Sequence, residues 1–160
     1  MRNFLFAGLT IFLFVTCGDT PVKKSSPDLA QNNNQQIAIG LPPMPVDVYN
    51  QLFDNCDNID YIFHELPISV SQDEKEAAQQ TIGFIDEAPF KSREASCKPI
   101  ARKFFKSKGK EILAADVYFS DKCKGYIFFK DNKPVFANQI SPSGVNFYNN
   151  IIAQTSNIQQ

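Results

Sequence analysis

The distribution of apolar residues divides the chain into three parts. An apolar run extends from Phe4 to Thr16, and polar residues and prolines then dominate from Gly18 to Pro45. Further along, short apolar segments recur with helical or alternating spacing. We therefore predict a single folded domain at residues 44–155, followed by a disordered tail at residues 156–160.

Three segments of this domain carry the spacing or the flanking residues that are typical of helices. In each, apolar side chains recur every three or four residues, or a residue that can cap a helix precedes them. The segments are residues 46–56, with Tyr49, Leu52, Phe53 and Cys56 on one face; residues 71–85, which start with the capping box Ser71 and Glu74; and the residues from Pro142, with Ser141 as N-cap and Val145, Tyr148 and Ile152 on one side.

Four later segments are rich in apolar and aromatic residues and are predicted to be strands. They are Ile100–Phe105, Ile112–Phe119, Tyr126–Phe129 and Val135–Ile140, and an extended segment, Asp60–Leu66, comes earlier. Because only two to five residues form each turn between the four, they are expected to pair as consecutive hairpins. The predicted fold class is α+β, a four-stranded antiparallel meander packed against two or three helices.

Composition narrows the class of protein without indicating an activity. The chain has 160 residues, of which 43% are apolar and 21% charged, with a net charge of −1. These values are typical of one globular domain and exclude a collagen, a fully disordered chain and a multi-span membrane protein. The charge gives no nucleic-acid signature. The only histidine, His64, excludes any site that needs two imidazoles.

The residues that end at Cys17 resemble the start of a bacterial lipoprotein precursor. Arg2 precedes thirteen nearly all apolar residues, a run that is shorter than the about 20 that a transmembrane helix needs. In that family a peptidase cuts before the cysteine, which is then diacylated and N-acylated. The resemblance implies a signal peptide at residues 1–16 and an acylated Cys17 that palmitate would label. Gly18, where an inner-membrane retention signal would have Asp, implies an outer-membrane destination.

Residues 17–43 are then predicted to be the lipidated cysteine and a disordered linker. The region from Gly18 to Pro45 holds half of the ten prolines, and its polar runs bury too little apolar surface to fold. The alternatives for the N-terminus are an ordinary signal peptide, with Cys17 unmodified, or an uncleaved anchor.

If Cys17 carries lipid, three cysteines remain for a disulfide. The first hairpin turns near Lys106–Gly109, which places Cys97 and Cys123 at the same end of the sheet. Their Cα atoms are then expected within the 4.4–6.8 Å that a disulfide requires. We predict a Cys97–Cys123 disulfide, with Cys56 buried as a small apolar residue. Pairing through Cys56, or three free thiols, are the alternatives.

No catalytic or metal-binding motif is complete. His64 and Glu65 begin a zinc-protease motif, but Ile68 stands where the second histidine is required. The cysteines are too far apart for the close ligand pairs of a zinc site. Asp116 lies mid-strand, opposite the face of Leu113, and needs a partner if it is covered. Arg102 on the neighbouring strand could pair with it, and the alternative role is a ligand-binding carboxylate.

Charge is strongly divided along the chain. Residues 44–87 contain ten acidic residues and one basic residue, whereas residues 88–134 contain twelve basic and five acidic residues. Lys106, Lys108 and Lys110 cluster at the tip of the first predicted hairpin. The division either solvates the domain or creates a basic tip that binds lipid headgroups, lipopolysaccharide or an acidic protein.

These features predict a membrane-anchored lipoprotein of the bacterial cell envelope, at the outer membrane and facing the periplasm or the cell surface. We expect a non-enzymatic binding or scaffolding module with an anionic or protein partner, and no cofactor, metal or nucleic acid. One alternative is a carrier of small apolar ligands or lipids in a groove between sheet and helices. The other is a thiol-dependent enzyme that uses Cys97 or Cys123.

Overall fold

The computed structural model describes residues 36–156, and the predictions for residues 1–35 and 157–160 lie outside these residues. The described part contains nine strands and three helices. In chain order they are β1 (Gln36–Ala38), α1 (Val46–Asn55), β2 (Asn58–Phe63), β3 (Ser69–Gln72), α2 (Lys75–Ile82), β4 (Ile85–Pro89), β5 (Ser92–Glu94), β6 (Pro99–Ser107), β7 (Lys110–Ser120), β8 (Cys123–Lys130), β9 (Lys133–Ile140) and α3 (Pro142–Ser156).

Seven of these strands form one antiparallel sheet in the order β3-β2-β6-β7-β8-β9-β4, and β1 pairs with β5 in a second, two-stranded sheet. The predicted four-stranded meander is therefore wrong. The four predicted runs lie in β6 to β9, the hairpin-connected centre of the larger sheet. Three more strands extend the sheet. β2 pairs with β6 and β4 pairs with β9, and no hairpin spacing in the sequence indicates these two pairings. β3 is added through the β2–β3 hairpin.

The capping-box prediction at Ser71 and Glu74 is also wrong. Ser71 belongs to β3, and its hydroxyl donates a 2.6 Å hydrogen bond to Asp60 on β2 instead of accepting one from a helix start. Helix α2 begins at Lys75, and Glu74 precedes it without a side-chain capping bond. Cross-strand pairing thus provides the serine with a stronger, charge-assisted partner than a helix terminus would.

All three helices contribute to a core on one face of the large sheet, called the inner face below. Alternate residues of the strands point to that face, among them Tyr61, Phe105 and Val117, all almost fully buried. Helix α3 adds Tyr148, whose exposed fraction is 0%. The predicted cap of α3 is present, since the amide of Gly144 donates to the Ser141 hydroxyl over 3.4 Å.

Gly144 allows α3 to begin close to the sheet. A Cβ atom at this position would lie 2.7 Å from both the Cβ of Phe84 and the Cγ2 of Ile140. Such a separation is well inside van der Waals contact, so only glycine fits there without a shift of its neighbours.

The opposite, outer face of the sheet is covered at one end only. There Phe90, Tyr118 and the two bridged cysteines form a second buried cluster, against which Ile39 and Leu41 pack. The amide of Ile39 bonds to Lys91, and Pro42 accepts a bond from Ala137. Strand β1 is thus paired, and Ile39, Leu41 and Pro42 contact the rest of the described domain. No helix among residues 36–156 is long and apolar enough to span a membrane.

Candidate functional site

The uncovered part of the outer face presents one continuous surface across four strands. Ile62, Arg102, Asp116 and Ile127 stand opposite one another in a row across β2, β6, β7 and β8. The adjacent row places Phe104 and Phe129 on either side of Ala114. We call the surface formed by Ile62, Arg102, Phe104, Asp116 and Phe129 the Arg102 patch.

An ion pair between aromatic rings forms the centre of the Arg102 patch. The Arg102 Nη1 atom lies 3.4 Å from Asp116 Oδ1, and the guanidinium carbon lies 4.8 Å from the ring centre of Phe129 and 5.9 Å from that of Phe104. Both distances are within the range of a cation–π contact. Asp116 is thus paired with the partner that the strand order indicates.

The Arg102 patch is partly open to solvent. The side chains of Arg102 and Asp116 are 29% and 17% exposed, and Ile62 is 50% exposed. Desolvation by burial raises the pKa of Asp116, although the nearby Arg102 and His64 favour the charged form. The Asp116 carboxylate has therefore lost part of its hydration shell, and its oxygens can still accept a hydrogen bond.

Acidic residues of β2 and of the turn before it bind part of the predicted basic tip. Lys106 donates to the Asp60 carboxylate, which also accepts from Ser71, and these two bonds lower the pKa of Asp60. The amide of Lys108 donates to both carboxylate oxygens of Asp57 over 2.9 and 3.2 Å. Lys110 is exposed. The acidic and basic halves of the sequence therefore meet here, because β2 and β6 are neighbours in the sheet.

The structure joins Cys97 and Cys123 in a disulfide with a Cα–Cα distance of 6.4 Å, the pairing that the hairpin geometry favours. Bridged sulfurs have no thiolate for nucleophilic attack. Cys56 is free but fully buried, and its thiol donates to the carbonyl of Asn58 over 3.3 Å. Burial raises the pKa of Cys56, which makes the reactive thiolate scarce. This chemistry does not favour a thiol-dependent enzyme.

The most unusual buried group is Lys103, which the sequence reasoning missed. It lies on the inner face of β6 between Ala101 and Phe105, and its exposed fraction is 0%. Its position could have been found from the sequence, because Ala101, Lys103 and Phe105 alternate along one face of the predicted strand. In the charge pattern of the sequence, Lys103 is one of the twelve basic residues of residues 88–134.

Aromatic rings surround the Lys103 amine. Its Nζ atom lies between 4.7 and 5.4 Å from the ring centres of Tyr61, Tyr126 and Tyr148, and 3.4 Å from the Tyr126 hydroxyl. Burial lowers the pKa of Lys103 well below its usual value. The Tyr126 and Tyr148 hydroxyls are 3.3 Å apart, so both retain a partner beside the amine. A fully buried amine has no surface on which to bind a substrate, and Lys103 therefore acts on stability.

A groove of about 910 Å³ lies between α1 and the ends of the sheet hairpins. Half of its lining residues are apolar and half are polar or charged. The apolar members are Val48, Leu52, Ile112, Leu113, Phe129, Val135 and Phe136, and the polar ones are Gln51, Asn55, Ser107, Glu111, Lys130, Asp131 and Asn132. The volume lies within the usual range for small-ligand sites.

Within residues 36–156 no three histidine, cysteine or acidic side chains are grouped so that they could hold a metal ion. His64, the sole histidine, lies just after β2 and is exposed.

The surface of the domain therefore carries two candidate binding sites, the Arg102 patch and the groove beside α1. Comparison with models of protein families, with curated proteins and with solved structures finds no match to this chain, and its function has to be inferred from its own residues.

Proposed function

We propose that the chain is a membrane-anchored lipoprotein of the bacterial cell envelope that binds a partner protein through the Arg102 patch and catalyses no reaction. The resemblance of the first nineteen residues to a lipoprotein precursor supports the anchor. The observation that carries the binding role is the partly exposed ion pair between two aromatic rings, with Ile62 beside it.

The composition of the Arg102 patch suits a protein interface. Arginine and aromatic side chains supply much of the binding energy at such surfaces, where a partner excludes the remaining water. Arg102 is already held in place by Asp116 and by the ring of Phe129. A partner that covers this pair therefore has to fix few additional side chains, which reduces the entropic cost of association.

The test is capture of the partner by the anchored protein in its own envelope. Ile62→Glu is expected to lower capture of the partner at least tenfold, because it places an unpaired charge in the contact at a site that is already half exposed. Val46→Glu is the matched control, since Val46 is 66% exposed and lies outside the patch and the groove. It is expected to change capture less than twofold.

Two results would contradict the proposal. Equal capture by the Ile62→Glu and wild-type proteins would remove the binding role of the patch. Palmitate labelling that survives Cys17→Ala would remove the lipid anchor.

The groove supports a second candidate function, transport of an acyl chain or a similar apolar ligand. A fluorescent fatty acid is expected to bind saturably, and Ile112→Glu to weaken its binding at least tenfold, because the charge would enter the apolar lining at a side chain that is 36% exposed. Val46→Glu again provides the control. Absence of saturable binding to the wild-type protein would exclude this function.

A further inference from the structure

Exposed lysines surround the end of the domain that carries the disulfide, which we call the disulfide end. Clefts of about 540 and 570 Å³ flank the bridge there. The four exposed lysines that line them are Lys91, Lys98, Lys122 and Lys124.

These lysines are only partly neutralised by acidic groups. The Nζ atom of Lys122 lies 3.3 Å from Glu94 Oε1. Among the described residues, neither Lys91 nor Lys98 forms an ion pair, and Lys124 lies over the ring of Phe119 at 5.9 Å. Asp121, Glu94 and Glu65 are the acidic residues that line the clefts. The disulfide end therefore has an excess of positive charge.

The other end of the sheet carries the tip of the β6–β7 hairpin. Strand β7 runs from Lys110 to Ser120, so the two ends are about 30 Å apart at the rise of an extended strand. At the Lys110 end, Asp60 and Asp57 bind the side chain of Lys106 and the amide of Lys108. Asp60 thus pairs with Lys106 at the hairpin tip, whereas Lys122 is the one lysine of the disulfide end that forms an ion pair among the described residues.

The chain also enters the described structure at the disulfide end. Gln36, the first described residue, pairs with Glu94 in the β1–β5 ladder, and Glu94 in turn contacts Lys122. Gln36 lies nineteen positions after Cys17, which bounds their separation at about 65 Å for a fully extended chain. A lipid on Cys17 would hold this end near the bilayer, which raises the effective concentration of lipid headgroups around it. Weak contacts with the headgroups are then sufficient for binding.

We infer that the disulfide end faces the anchoring membrane and that Lys91, Lys98, Lys122 and Lys124 contact the phosphate groups of anionic glycerophospholipids. This inference rests on the lipid anchor of the proposed function. It assigns the membrane contact to the disulfide end and leaves the hairpin tips and the apolar groove directed away from the bilayer.

The experiment measures binding of the mature chain, carrying Cys17→Ser so that no acyl chain contributes, to lipid vesicles. Vesicles that contain phosphatidylglycerol are expected to bind more protein than vesicles of phosphatidylcholine alone, and salt should weaken the binding. Replacing Lys91, Lys98, Lys122 and Lys124 by Gln is expected to lower the affinity for anionic vesicles at least tenfold.

The matched control carries Gln at Lys108, Lys110, Lys130 and Lys133. These four lysines are also exposed, lie at the opposite end of the sheet and give the same change in net charge. The control is expected to lower the affinity less than twofold. If the first quadruple variant fails to fold, Lys91→Gln with Lys98→Gln is expected to lower it at least threefold.

Equal losses in the two quadruple variants would show that only net charge matters and would overturn the inference, as would equal binding to neutral and anionic vesicles. Acylation of Cys17 does not enter this measurement. A failure of the lipid anchor, detected by palmitate labelling, is therefore distinguishable from a failure of the lysine surface.

Discussion

Replacing Lys103 by Met is expected to raise the free energy of unfolding at neutral pH by about 1–4 kcal/mol, the range found when a buried ion pair is replaced by apolar side chains of similar volume. In the wild-type domain the Lys103 amine lies inside an aromatic core. Whether it is neutral or charged, it has lost its hydration shell, which costs free energy. Methionine fills a similar volume without that cost. The Tyr126 and Tyr148 hydroxyls still have each other at 3.3 Å, so neither is left without a partner.

The magnitudes of the two opposing effects explain why burial lowers the pKa of Lys103. Removing an ammonium ion from water costs several kcal/mol in a protein interior, whereas a desolvated cation–π contact contributes about 2 kcal/mol. The three tyrosine rings around Lys103 therefore reduce the desolvation cost without cancelling it. This agrees with the lowered pKa of Lys103, for which burial is the cause.

The stabilisation by Lys103→Met should depend on pH. An unfolded lysine has a pKa of about 10.4, and the folded value is lower. Between the two values the unfolded chain binds a proton that the native protein does not, so the wild-type unfolding free energy rises with pH. The advantage of the variant should shrink as the pH approaches that of unfolded lysine.

Urea unfolding between about pH 6 and 9.5 measures this trend below the range in which unfolded tyrosines ionise. The groups that face the amine are Tyr61, Tyr126 and Tyr148, whose pKa values burial raises, so they stay protonated in the folded state. Lys133→Met, at an exposed lysine, is the control and should show no such trend. A variant at position 103 that is less stable than wild type at every pH would mean that the aromatic rings hold a charged lysine favourably.

Removal of the disulfide by Cys97→Ser and Cys123→Ser is expected to lower the unfolding free energy by about 3 kcal/mol. The bridge spans 26 residues, and a closed loop of that size restricts the unfolded chain by about this amount. It also lies in the buried cluster with Phe90 and Tyr118, so polar serines there lose apolar packing as well.

Urea unfolding with and without a reductant distinguishes the bridge from side-chain effects. The reductant should destabilise the wild-type protein by a similar amount and leave the double variant unchanged. Cys56→Ala is the matched single-thiol control, and its response to the reductant should equal that of wild type, because Cys56 is free. A wild-type protein that is insensitive to reductant while unfolded would show that the two sulfurs are not bonded in solution.

The sequence predicts the centre of the sheet well because that part is local. Strands β6 to β9 follow one another through short turns, and Lys108, Asp131 and Asn132 adopt the positive φ angles that such turns require. The outer strands depend on non-local pairing. β3 is short and polar, with a serine pattern that also resembles a helix cap, and β4 follows α2 directly, where the apolar helix pattern continues to Ile85. The residue composition of these two segments does not distinguish a strand from a helix.

The same distinction applies to the candidate site. The Arg102–Asp116 pair could be predicted because both residues belong to one hairpin, whose register follows from its turn. The neutralisation of Lys106 could not, because it depends on Asp60, a residue 46 positions away on a strand whose place in the sheet was unknown. The burial of Lys103 depends on no distant partner. The sequence does not point to it because a lysine is rarely found in a core.

The position of Lys103 also makes it a reporter for opening of the core. Every other lysine among the described residues is at least partly exposed, so an amine-acylating reagent can modify it in the folded protein. Burial lowers the pKa of the Lys103 amine, and the tyrosine rings shield it from a reagent in the folded protein. Acylation of Lys103, detected by mass spectrometry of its peptide, thus measures the fraction of molecules whose core has opened.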